Sequence, residues 1–121
     1  MSEPIMGAAV KPRVQFKLFE KLDIRVGLIE LVEDLPNSEK MLKLSVDFGD
    51  HKRTVLAGMK KDRADIQEVN GKQALFIVNI KPRKILGVFS EALLLDVGFL
   101  DGISPVMLVP EKPVPNGTRC G

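Results

Sequence analysis

Three cations crowd around one proline in Lys81-Pro82-Arg83-Lys84. Asn79 stands two residues ahead of them, and Ser90-Glu91 follows after an apolar segment broken by Gly87. Fixed positive charge on a proline-stiffened backbone, flanked by apolar stretches on both sides, suits gripping an anion at the edge of a packed scaffold. The charge distribution points the same way. The chain as a whole carries +2, but residues 52–84 hold nine basic and three acidic side chains, a net of +6. Residues 22–51 hold three basic and seven acidic ones, a net of −4. A polyanion-binding face needs this kind of asymmetry. A lysine-rich solvated surface would give the same count.

Other chemistries find little support. One histidine, His51, and one cysteine, Cys120, cannot assemble a zinc site or an internal disulfide. Gly71-Lys72 lacks the rest of a phosphate-binding loop, since Ile66 and Gln73 stand where that pattern needs Gly and Ser or Thr. Ser90 follows Phe89 rather than the glycine pattern of a hydrolase elbow. The carboxylates form no acid–base motif. No catalytic residue, metal or cofactor is therefore expected. The chain has no Trp or Tyr and six Phe. Phe48, Phe76 and Phe89 fall on strand patterns that predict core. Single-strand binders rely on exposed aromatic stacking, so a basic scaffold of this kind is expected to read folded RNA by backbone and shape.

The elements that must position these residues follow from hydrophobic periodicity. Val14, Leu18 and Leu22 recur at helical spacing and predict a short amphipathic turn, with Phe16 off the stripe and facing a partner chain. Asp23 to Leu35 predicts a long strand. Its apolar phase slips beside Gly27, from Ile24, Val26 and Leu28 to Ile29 and Leu31, the mark of a β-bulge. Met41 to Phe48 alternates cleanly, Gly49-Asp50 turns the chain, and Arg53 to Leu56 returns. Lys60 to Val69 predicts a helix or helical turn, Gln73 to Ile80 a buried strand, Ala92 to Val97 another, and Val106 to Val109 a last one. Leu93 to Leu95 are expected in the core. Five or six short strands with one helix between the third and fourth, and no βαβ alternation, predict a small closed antiparallel barrel.

Phe19-Glu20-Lys21-Leu22-Asp23-Ile24-Arg25-Val26-Gly27 resembles the opening of the tRNA-binding OB domain family, appended to many methionyl-tRNA synthetases and also found alone. Pro36 to Leu42, Val46 to Gly49 and Arg53 to Gly58 continue the likeness. Asn79 to Leu95 resembles the family's Asn-x-x-Pro-Arg-Lys element followed by Ser-x-x-Met, with Leu93 in place of that Met. The resemblance implies an all-β, five-stranded Greek-key OB barrel with a short helix between strands three and four. It implies sequence-independent tRNA recognition, with Asn79, Lys81, Arg83, Lys84 and Ser90 as RNA contacts. Lys40, Arg53, Lys60 and Lys61 support them by charge and loop position. It further implies a homodimer joined through N- and C-terminal extensions, carried by Val14, Phe16, Phe19, Val106 and Leu108.

Residues 1–13 read as a flexible tail and 14–121 as the barrel with its dimerising extensions. Leu93 and the ending Pro113 to Thr118 also resemble CsaA, an export-related chaperone of the same fold, so an unfolded polypeptide is the alternative partner. An RNA-inert subunit that docks on an aminoacyl-tRNA synthetase is a third reading. No apolar run approaches the ~20 residues a membrane span needs, and no signal peptide is visible, so the cytoplasm is the expected location.

Overall fold

β1 (Ile24–Asp34) is the strand on which the others are hung. The computed structural model describes residues 7–61 and 63–121. Met1–Met6 of the expected tail and Asp62 lie outside the described residues. A short helix, α1 (Phe16–Glu20), precedes β1. β1 turns Ile24 and Val26 inward, then Ile29. A bulge falls between Ile29 and Leu31, as the phase slip predicts near this point, and it shifts the inward set again. Val32 is buried and Leu31 is exposed, contrary to the expected pairing of Ile29 with Leu31. Gly27 is required by close approach. A Cβ there would stand 2.4 Å from Cγ1 of Val46 and 2.8 Å from Cε1 of Phe48.

β2 (Leu42–Asp47) realises the clean alternation, with Leu42, Leu44 and Val46 buried between half-buried neighbours. It pairs with β1 on one side and with β3 (Lys52–Ala57) on the other. The expected helix between strands three and four shrinks to a single 3-10 turn over Ile66–Val69, capped by the Asp65 carboxylate accepting from the Gln67 N–H at 2.9 Å. Its apolar residues, Ile66 and Val69, pack on the core. β4 (Gln73–Ile77) pairs with the first half of β1 and buries Ala74 and Phe76. A fully buried side chain the size of Phe76 contributes roughly 1.5–3 kcal/mol.

The last barrel strand is broken. β5 (Arg83–Ile85) and β6 (Val88–Ser90) form a hairpin, and β7 (Leu93–Leu94) pairs with β4. Glu91 N–H donates to the Thr54 carbonyl at 2.8 Å, and Thr54 N–H donates to the Glu91 carboxylate at 2.9 Å. These bonds bring the end of β6 against β3 and nearly close the barrel, whose sheet order is β3-β2-β1-β4-β7. The expected strand Ala92 to Val97 divides at Leu95 into β7 and β8 (Asp96–Val97). β8 pairs with β9 (Val106–Met107) across a 3-10 turn over Phe99–Asp101. Leu93 is half in solvent, not core, while Leu94 is buried.

The proline-rich tail docks on the barrel. Gln73 Nε2 donates to the Val114 carbonyl and to Asn116 Oδ1, and Gly117 N–H donates to the Val26 carbonyl at 2.7 Å. β10 (Arg119–Cys120) then pairs with Ile24 and Arg25 of β1. Among the described residues no helix is long and apolar enough to cross a membrane.

Candidate nucleic-acid interface

The β5–β6 hairpin sets the site. Its two-residue turn places Leu86 at φ +52° and Gly87 at φ +81°. Positive φ at both central positions gives the turn a twist that matches antiparallel strands. Cross-strand partners are Arg83 with Ser90, Lys84 with Phe89 and Ile85 with Val88. Opposed residues share a face, and faces alternate along each strand. Arg83, Ser90, Val88 and Ile85 therefore share the face turned toward the barrel, with Arg83 exposed at its rim, and Lys84 and Phe89 turn to solvent. Exposure follows this division: Ser90 is buried, and Phe89 is 57% exposed. The expectation that Phe89 belongs to the core fails here. Alternation shows which residues share a face but not which face of a two-stranded hairpin is covered.

Ser90 is a brace inside the fold. Its hydroxyl accepts the Leu56 N–H at 2.9 Å and donates to the Ala92 carbonyl at 3.1 Å. Nothing of it faces outward for RNA. Ser90→Ala leaves the buried Leu56 N–H unsatisfied, and stability should fall by about 1–3 kcal/mol. RNA affinity of the folded variant should be unchanged. Chemical denaturation and a binding titration check both. Intact stability with lost affinity would make Ser90 a contact instead.

Three other expected contacts are also engaged within the chain. Asn79 accepts the Asp23 N–H at 2.8 Å and donates to the Lys21 carbonyl at 2.7 Å, holding the end of α1 against the start of β1. Arg53 is half-buried. It donates to the carbonyls of Val78 (2.6 Å) and Glu91 (3.0 Å) and to His51, with its guanidinium 5.9 Å from the centre of the Phe48 ring. Lys60 pairs with Asp34 and donates to the carbonyls of Leu35 and Ser38, which pins the β1–β2 loop. Sequence shows polar or charged side chains at these positions but not the backbone groups that fold to meet them.

The remaining cations differ. Lys40, Lys61, Lys81, Arg83 and Lys84 are exposed, and their side chains form no hydrogen bond or ion pair among the described residues. Within residues 52–84, Lys52 pairs with Glu30 and Arg63 with Glu68. Uncompensated charge is thereby concentrated at Lys81-Pro82-Arg83-Lys84, with Lys61 and Lys72 apart from it. Lys81 and Arg83 flank a small recess under the hairpin that also takes Ile80, Ile85 and Leu93. Arg25 is excluded from the basic face. Its hydrogen bond to Asp23 holds the Asp23 carboxyl below the usual carboxylate range and raises the guanidinium of Arg25, so the pair stays charged and mutually neutralised at neutral pH.

A second surface lies at the chain's extensions. Phe16, Phe19 and Leu22 of the α1 region face Ile24, Arg119 and Cys120 across an open cleft of about 880 Å³. The Phe16 and Phe19 ring centres lie 5.8 Å apart. Val14 and Val106 are exposed, and Leu108 is half-buried, tied by its backbone to Leu75 and Leu95.

Comparison with known proteins places the fold. The methionine–tRNA ligase of Archaeoglobus fulgidus is 38% identical over 109 residues, which is 90% of this chain and 16% of that protein. The methionine–tRNA ligase of Methanocaldococcus jannaschii is 34% identical over 117 residues, 97% of this chain and 18% of that protein. The chain thus spans less than a fifth of the length of these ligases. Among solved structures, a MetRS-related protein from Pyrococcus horikoshii superposes with a TM-score of 0.84 at 30% identity, covering 92% of this chain and 100% of that one. The chaperone CsaA of Bacillus anthracis superposes with a TM-score of 0.78 at 28% identity, covering 91% of this chain and 100% of that one. A family model described as "Putative tRNA binding domain" matches residues 24–119. With the barrel, the basic hairpin and this match in place, the chain belongs to the tRNA-binding domain family.

Proposed function

We propose that this chain is a non-catalytic module that recognises folded tRNA by gripping its phosphate backbone. Lys81, Arg83 and Lys84 carry the grip, and Lys40 and Lys61 extend it. The observation behind this reading is the run of exposed cations at and just before one hairpin, without a hydrogen bond or ion pair among the described residues, while Lys52, Arg53, Lys60 and Arg63 are engaged internally. Asn79, Arg53, Lys60 and Ser90 position the basic surface from beneath. The extensions serve a homodimer, with Val14, Phe16, Phe19, Val106 and Leu108 at the contact. A tRNA partner places the protein in the cytoplasm.

A second reading draws on the cleft beside α1. Its exposed Phe16, Phe19 and Leu22 offer apolar surface to an unfolded polypeptide, and a chaperone is among the similar structures. One experiment separates the two. The full chain is titrated with unfractionated tRNA and with reduced, carboxymethylated α-lactalbumin, at about 50 and 200 mM salt. Phosphate contacts release counterions, so tRNA affinity should fall steeply over this range. Binding of the polypeptide alone, with a flat salt response, would replace the first reading with the second. Binding of neither would favour a subunit that docks on a synthetase. Light scattering of the same sample tests the dimer; a monomer at micromolar concentration would remove it.

A further inference from the structure

We infer that Phe89 is a stacking platform for an unpaired RNA base, held over the phosphate grip; the inference rests on the tRNA reading above. Three observations meet at this residue. Its ring is 57% exposed on the outer face of the β5–β6 hairpin, although its neighbours Val88 and Ser90 turn toward the barrel. Lys84 stands directly opposite it across the hairpin, with Nζ 5.9 Å from the ring centre. Arg83 and Lys81, both exposed, stand at the recess under the opposite face of the same hairpin.

A lone exposed Phe needs no explanation by itself. Phe16, Phe19 and Phe99 are also exposed, but none of them stands on the hairpin that holds Arg83 and Lys84. An aromatic face beside backbone-neutralising cations is the combination that binds unstacked nucleotides: the cations hold the phosphates and the ring takes the base. Folded RNAs expose such bases in loops, bulges and ends. The two-residue turn and the pairing of Lys84 with Phe89 fix the face on which the ring stands.

The tests replace Phe89 with Ala, Leu and Trp. Phe89→Ala and Phe89→Leu should each weaken tRNA binding about tenfold. The salt slope should stay as in the wild type, since no charge is removed. Neither variant should alter affinity for a blunt, fully paired RNA duplex, which offers no unstacked base. Phe89→Trp should bind tRNA at least as well as wild type. Because the natural chain has no Trp, its single indole should be quenched by tRNA and not by the duplex.

Wild-type affinity in Phe89→Leu would show an apolar contact without stacking and overturn the inference. So would equal losses on tRNA and duplex, or an unquenched indole. Weaker binding of reduced, carboxymethylated α-lactalbumin with tRNA affinity intact would assign the ring to polypeptide instead. If the wild-type chain does not bind tRNA, the proposed function falls together with this inference. If it binds and Phe89→Ala binds equally, only this inference falls.

Discussion

Replacing Arg83 and Lys84 together by alanine should lower tRNA affinity on the order of 10- to 100-fold while leaving the fold intact. That loss, about 1.4–2.7 kcal/mol, is what two solvent-exposed charge contacts at roughly 1 kcal/mol each would give. Both side chains are exposed and neither carries a hydrogen bond among the described residues, so the melting temperature should hold. The slope of log affinity against log salt should flatten by about 2, one for each lost contact. Electrophoretic mobility or anisotropy titrations at several salt concentrations read both quantities. Unchanged affinity would remove the β5–β6 hairpin from the interface and with it the reason for proposing RNA as the partner. A loss confined to low salt would demote the two residues to long-range steering.

The largest effect on stability is expected at Gly117. It lies at φ +90°, and a Cβ there would stand 2.2 Å from the Phe48 carbonyl oxygen. The atom in the way is backbone in a tight hairpin, so it cannot swing aside. Gly117→Ala should cost on the order of 3 kcal/mol, read as a lower denaturation midpoint. Gly102→Ala is the control. Gly102 has φ +72° but open space around the added carbon, so it should bear only the backbone part, about 1 kcal/mol. Equal losses in the two variants would mean that the tail does not need its seat against Phe48. The same displacement should loosen β10 from β1 and open the cleft lined by Arg119 and Cys120, so a dimer built on that surface should dissociate more readily.

Much of the barrel is legible in the sequence because its strands are amphipathic. β2 has one wet and one dry face, and strict alternation follows. β1 is harder. Its bulge and the bare backbone at Gly27 break the period, so the slip is visible while the identity of the inward residue after it, Val32 in place of Leu31, is not. The β5–β6 hairpin is harder still. Lys84 and Phe89 pair across the turn at Leu86-Gly87, a hairpin that the sequence pattern does not announce. Which side of the hairpin meets the barrel depends on Ser90 finding the Leu56 N–H, a contact 34 residues away in sequence. Polar side chains conceal their roles for a similar reason. Lys60 and Lys61 are adjacent and chemically identical. Only folding sends one to Asp34 and the carbonyls of Leu35 and Ser38 and leaves the other in solvent.

The pairing of β10 with β1 also sets an order of events in assembly. Ile24 and Arg25 find their partners at Cys120 and Arg119, so β1 is completed only by β10, which follows every other strand of the barrel. Closing a loop of that length is entropically costly and belongs late in folding. Until then the edge of β1 at Ile24–Val26 presents unpaired N–H and C=O groups, which are templates for a strand from another chain. On a translating ribosome this edge stays open until residues 117–120 emerge, and the aggregation risk of the nascent chain is concentrated in that interval.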